Sequence, residues 1–407
     1  NFGKLRLSYA EVGQADNYYD AYYTTGSVGG GFWDKSPISY PNDGVTSLVH
    51  GSYLYDSELK PQNTISYEAG VDLRLFNNFL DLSFTYSRQN VKDQIFDVPL
   101  AASTGYSSYV MNGGRIHTDA FELSATFNIV NKKDWDFSIN ANFTKMNNYV
   151  DELADGVNSI YLGGFTTPQV RASTGDKYPV IYGSSFAKDQ DGNILVDSEQ
   201  FVDGVANPYY GMPIGGADDV IGDVSQNFNL GFGMNLRYKK LQLRATFDYK
   251  NGGQMYSGTN GLMNLYGTSA ETEDRTSARV YNGTIATAWD EDGNVTASKA
   301  NDIAINTDGS GDDIQTLYAS VLGNIDEAYI YDNDYLKLRE VSLSYDFTIA
   351  KNYKLGLNIF ARNILVWTKL PNLDPESSQG NGNMGGSFER LSLPQSTSYG
   401  LGINLTF

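Results

Sequence analysis

Two short runs carry the oxygen spacing that a hard cation uses. "DQDGN" sets Asp189, Asp191, Gly192 and Asn193 in series, and "DEDGN" repeats the pattern with Asp290, Asp292, Gly293 and Asn294. A calcium loop offers oxygens at alternate positions and closes on a bidentate Glu. The closing position falls on Gln200 in the first run and on Asn301 in the second. Without that carboxylate, each run reads as the tip of an Asp-Gly turn, and no metal site is assigned.

The two histidines, His50 and His117, would need a neighbouring nucleophile to act in a hydrolase. No G-x-S-x-G motif accompanies them. The absence of cysteine removes thiolate chemistry, disulfides and cysteine metal ligation. No catalytic residue and no cofactor is therefore expected, and the chain is not read as an enzyme. The remaining candidates are aromatics in polar connections: Trp33, Tyr53, Tyr55, Tyr209, Tyr210, Tyr256 and Tyr266. Such rings line concave sites for sugars and peptides. They also hold loops together and form interfacial belts.

The elements that position these loops show first in composition. The chain has 407 residues and a formal net charge of −19, which excludes the basic footprint of a nucleic-acid binder. No apolar run is long enough for a membrane helix. That test is blind to β-barrels, where only alternate residues meet lipid. The 30 Tyr, 20 Phe and 42 Gly suit either a secreted β-rich protein or an outer-membrane barrel with aromatic girdles, and composition leaves both open.

Alternation is the strongest signal. In "SYEAGVDLRLF", Tyr67, Ala69, Val71, Leu73 and Leu75 share one face, while Glu68, Asp72 and Arg74 share the other. The same period runs through "FLDLSFTYS", "AFELSATFNIV", "WDFSINANF", "NFNLGFGMNLRY", "LQLRATFDY", "EVSLSYDF" and "KLGLNIFARNIL". It also opens the chain in "NFGKLRLSYAEVG" and closes it in "SYGLGINLTF", where Tyr399, Leu401, Ile403, Leu405 and Phe407 alternate with small or polar residues. Ten long strands are expected. Turns near Asn77, Lys132, Lys239 and Lys351 span a few residues. The connections at roughly 11–63, 97–110, 150–222, 256–328 and 369–394 are long, and all fall at the opposite end. Short turns on one side and long loops on the other predict an all-β fold: a transmembrane antiparallel barrel with extracellular loops and periplasmic turns. Phe407 would then lie at the periplasmic rim.

Five segments sharpen this reading. "NDYLKLREVSLSYDFTI" (333–349), with Tyr335, Leu336, Lys337, Leu338 and Arg339, resembles the signature strand of the SusC/RagA-type TonB-dependent transporters of Bacteroidota. "LKPQNTISYEAGVDLRLFNNFLDLSFTYSRQNVKDQI" (59–95), "NGGRIHTDAFELSATFNIV" (112–130), "ARNILVWTKLPNLDPE" (361–376) and the terminal strand are similar to that family in the same order. One departure is "DAFE" (119–122), which lacks the glycine usual two residues before the Glu.

The resemblance implies that residues 1–407 are the C-terminal part of a barrel of about 22 strands. The plug, the TonB-contacting segment and the first strands would lie outside this chain, on another segment or another chain. It also implies an outer-membrane location in contact with lipid, TonB-driven uptake of an oligosaccharide or peptide, and a SusD-like lipoprotein over the mouth. A structural or adhesive barrel and a secreted β-sandwich binding protein are the alternatives. The signature strand carries one further expectation. Leu336 and Leu338 are even-numbered, whereas Val341, Leu343 and Tyr345 are odd. One face can hold both sets only across a bulge near Arg339-Glu340.

Overall fold

The computed structural model describes residues 2–14, 23–25, 27–28, 38–154, 156–165, 167–175, 177–350, 353–380 and 385–406. Trp33 and Phe407 lie outside the described residues. Ten long strands form one antiparallel sheet, each beside its sequence neighbour. They are β1 (Phe2–Gln14), β2 (Gln62–Leu75), β3 (Leu80–Lys92), β4 (Gly114–Asn131) and β5 (Trp135–Leu153). The second half comprises β6 (Gln226–Tyr238), β7 (Leu241–Gly252), β8 (Tyr335–Ala350), β9 (Tyr353–Thr368) and β10 (Ser398–Thr406). The sheet does not close on itself: β1 and β10 are its two edges. It is a wall of a larger barrel.

Alternation turns register into continuous rows. Leu5, Val71, Phe84, Leu123, Phe143, Leu230, Tyr249, Leu336 and Trp367 are successive cross-strand partners from β1 to β9. Nearer the short turns, Phe137, Leu236, Leu243, Leu343, Ile359 and Leu401 make a second row. This apolar face is the outer one, and none of the described residues covers it: Leu7 is 75% exposed and Leu401 66%. In β5 the outward run goes from Trp135 through Phe137, Ile139, Ala141 and Phe143, and ends at Lys145. Trp135 to Lys145 spans roughly 33 Å of strand at about 3.3 Å per residue. At a tilt of about 40° that is roughly 25 Å of height, the thickness of an outer-membrane apolar band. Aromatics close the lower edge, where Trp135 pairs with Tyr238 and Leu241 with Tyr345.

The inner face is polar and cross-linked. Arg6 reaches across β2, contacting Glu68 at 3.3 Å and Asp72 at 3.2 Å, and it donates to Thr85 on β3 at 3.0 Å. Gly70 makes this possible, since a Cβ there would strike the Arg6 guanidinium. On the other edge the Phe360 ring lies over Gly400, where any side chain would collide with it.

The packed core sits in the long connections. Phe186, Met212, Ile305, Ile314, Leu317, Leu322, Ile325 and Tyr329 form one buried cluster. Val170, Ile181, Ile221 and Phe388 form a second. A four-stranded sheet (159–164, 169–173, 180–186 and 215–223) and helix α1 (Gly258–Leu265) belong to this body. The inversion has a simple cause. The wall turns its apolar residues outward, away from the loops, so the loops bury theirs against each other.

Candidate functional site: a loop anchored on the inner wall

The phase break in β8 is resolved by a bulge. Leu338 pairs with Phe247 and Glu340 with Thr246, so Arg339 has no partner across β7. The pairing with β9 shifts at the same point, from Leu338↔Leu365 to Glu340↔Arg362. One extra residue restores the parity, and Leu336 and Leu343 share the outer face. The extra residue is a cation that joins the inner face.

Tyr335, Lys337 and Arg339 meet the loop after β9 there. Lys337 is 3% exposed, and its Nζ donates to Asp374 Oδ1 at 2.6 Å and to Glu376 Oε2 at 2.7 Å. The Arg339 guanidinium bonds both oxygens of Glu376, and its Nε donates to Asp248 Oδ2 at 3.2 Å. The Tyr335 hydroxyl donates to Glu376 Oε1 at 3.2 Å. The loop side is tightened in turn. Asp374 Oδ1 accepts the Glu376 N–H, Asp374 Oδ2 accepts the Gln395 N–H, and Gln395 Nε2 donates to Glu376. Burial works to raise the Glu376 pKa, but the hydrogen bonds and charges of Arg339 and Lys337 outweigh it and hold the carboxyl down at about 2. Asp374 is held below the usual carboxylate range against the same burial, by Lys337 and the backbone donors. Both loop carboxylates are paired with wall cations, so the cluster is a fastening between wall and loop. The "YLKLR" and "DPE" segments, 37 residues apart in sequence, are its two halves.

The aromatic candidates do not form one site. Tyr256 lies against Phe388, with ring centroids 6.1 Å apart, and lines a cavity of about 330 Å³ with Phe165, Leu262, Tyr329 and Arg390. Tyr266, 74% exposed, lines a neighbouring cavity of about 330 Å³ with Arg275 and Tyr318. Leu265 of α1 contributes to both. Tyr53 and Tyr55 sit in a separate three-stranded sheet with Ile95–Pro99 and Ser108–Asn112. Tyr209 is exposed and Tyr210 half-buried, away from both cavities. Phe165, Tyr318, Arg275 and Arg390 were not singled out by the sequence, because only folding brings them to these walls.

Both Asp-Gly runs are turns. The Asp189 carboxylate accepts from the Asp191 and Asn193 backbone N–H groups and from Thr284 Oγ1 and Ser298 Oγ at 3.0 and 2.7 Å. Those bonds, Ser298 foremost, hold its pKa well below the usual range. Asp290 caps its own turn through Asp292 and Asn294. His117 Nδ1 lies 2.7 Å from Asp151 Oδ1 and its ring stacks on Tyr149, while His50 Nδ1 lies 2.9 Å from the Gly51 carbonyl oxygen.

This architecture has close counterparts. Over its full length the chain superposes on the RagAB peptide transporter with a TM-score of 0.67 at 20% identity, covering 41% of that chain. The closed-closed state of the RagAB peptide importer gives 0.65 at 19% identity. The family model described as TonB dependent receptor-like, beta-barrel, matches residues 1–193. That match covers just under half of the chain, and the likeness is to the TonB-dependent receptors. Among curated relatives, TonB-dependent receptor P3 of Formosa agariphila is 26% identical over 387 residues, covering 88% of this chain. TonB-dependent receptor P39 of the same organism is 21% identical over the whole chain. The chain spans 36% of the length of P3 and 40% of P39.

Proposed function

We propose that the complete receptor imports an oligosaccharide or a peptide across the outer membrane, driven by TonB, with a SusD-like lipoprotein closing over the long-loop rim. The rest of the wall, the plug and the TonB contact come from outside residues 1–407. The long loops face the cell exterior and the short turns face the periplasm. One observation carries the reading. The packed core and the aromatic cavities belong to the loops, and the loops are fastened to the inner face of the wall. A barrel with a purely structural role has no need to pin a folded loop body inside its own mouth. Tyr256 and Tyr266 would contact cargo, with Phe165, Arg275 and Arg390 beside them. The RagAB likeness favours a peptide over a sugar.

The test is purification of the native receptor from its own outer membrane. A lipoprotein that co-purifies, and peptides or glycans released from the complex on denaturation, are the expected results. A receptor that is repeatedly pure, lidless and free of cargo would instead support an adhesive or structural barrel.

A further inference from the structure

The short-turn rim carries lysines with no acidic partner among the described residues; Lys240 Nζ donates to Thr348 Oγ1 at 2.7 Å. Lys132 and Lys133 occupy the β4–β5 turn, and Lys239 and Lys240 the β6–β7 turn. All four are exposed, and among the described residues none lies within ion-pair distance of a carboxylate. The turns are adjacent: the Lys239 N–H donates to the Asp134 carbonyl oxygen at 2.7 Å. Asp134 is the one carboxylate in either turn, in a chain whose formal net charge is −19.

Directly above them is the lower aromatic edge. Trp135 and Tyr238 are cross-strand partners with ring centroids 4.3 Å apart. Lys239 Nζ lies 5.3 Å from the Tyr238 ring centroid, so this lysine is folded onto the outer face. Lys239 also has a φ of 55°, a backbone state that turns normally give to Gly or Asn. A lysine kept there at a conformational cost points to a use for its ammonium group.

We propose that the two turns form a headgroup site for an anionic phospholipid of the leaflet they border. The ammonium groups of Lys132, Lys133 and Lys239 donate charge-assisted hydrogen bonds to the phosphate oxygens. The Trp135 and Tyr238 rings occupy the interfacial layer, with their polar ends toward the headgroup. The acyl chains run upward over Phe137, Leu236 and Leu243. A phospholipid fits better than an acidic protein because the cations are continuous with the lipid-facing surface. The inference rests on the membrane placement proposed above.

The test uses the full-length receptor in nanodiscs of phosphatidylcholine with increasing phosphatidylglycerol, reading bound lipid by native mass spectrometry. The expected result is preferential retention of phosphatidylglycerol, weakened at least about tenfold in a K132Q/K133Q/K239Q variant and unchanged in K299Q, whose lysine pairs with Asp302 among the long loops. Heat-modifiable migration shows that each variant is folded. Equal phosphatidylglycerol preference in parent and triple variant overturns the site. So does a folded, inserted receptor with no preference, or one whose rim captures polyglutamate but no anionic lipid. A receptor that does not insert at all overturns the membrane placement itself.

Discussion

Arg339, the residue that the ladder between β7 and β8 skips, grips both carboxylate oxygens of Glu376. The bulge and the ion pair are one device. Insertion of a residue into the strand adds a cation to the inner face without moving a single apolar side chain off the outer face.

Glu376→Ala should therefore release the loop while leaving the wall assembled. It would leave the almost fully buried Lys337 with Asp374 alone, and remove both contacts of the Arg339 fork to Glu376. Breaking a buried pair costs about 3–5 kcal/mol and an exposed one under about 1. Glu376 is about a quarter exposed, so a loss on the order of 2 kcal/mol is expected. Limited proteolysis of residues 369–397 in the native membrane checks this, with heat-modifiable migration as the control for the wall.

The same anchor should fail in acid. The folded Glu376 pKa, about 2, lies below its ordinary value of 4.5. Its contribution is then complete above the ordinary value and fades as the pH falls from about 4.5 toward 2. Protection factors of the loop amides, referred to intrinsic exchange at each pH, should be constant from pH 7 to about 5 and fall below that. In Glu376→Gln they should be lower at neutral pH and lack the acid-dependent fall.

Deletion of Arg339 offers a cleaner probe than any substitution. Without it, Leu338 and Glu340 become neighbours and β8 alternates regularly, with the same outer face. The barrel should assemble, while the loop becomes protease-sensitive. Failure of the deletion variant to reach the membrane would show that the bulge serves assembly itself.

The two faces can be tested on one strand. Phe232→Arg places a cation in the apolar band, stacked against Phe247, at a cost of about 2–4 kcal/mol. The inward control belongs at Gly231, where a side chain would meet nothing within 4 Å. Gly233, though also inward, is a poorer choice because a Cβ there would sit 3.0 Å from the Ala245 carbonyl oxygen. Membrane-fraction yield should fall for Phe232→Arg and hold for Gly231→Arg.

The twin Asp-Gly turns should respond differently despite their shared motif. Asp189 ties its turn to Thr284 and Ser298, roughly a hundred residues away, whereas Asp290 bonds only within its own turn. Asp189→Ala should loosen the loop body, seen as faster proteolysis between 180 and 300. Asp290→Ala should not change the cleavage rate.

Much of the wall was legible because side-chain alternation is a local property. Ten strands, both faces and the asymmetry of the connections follow from a period of two, interrupted by turns. Even the bulge could be placed, since Leu338 and Val341 cannot share a face without an extra residue. The loop body was not legible. Val170, Ile181, Ile221 and Phe388 are scattered through polar connections with no sustained period, and they become a core only after folding. Nor did the loop aromatics announce which of them meet: Tyr256 and Tyr266 flank one helix, while Tyr53 and Tyr209 lie elsewhere.

The sequence alone determined the ten strands, which residues share the apolar face and where the strand must break phase. Only the tertiary structure decided what that break is for. Arg339 reaches Asp248, 91 residues away, and Glu376, 37 away. Ion pairs over such separations leave no periodic trace, because their partners are chosen by register and loop path rather than by neighbours in the chain.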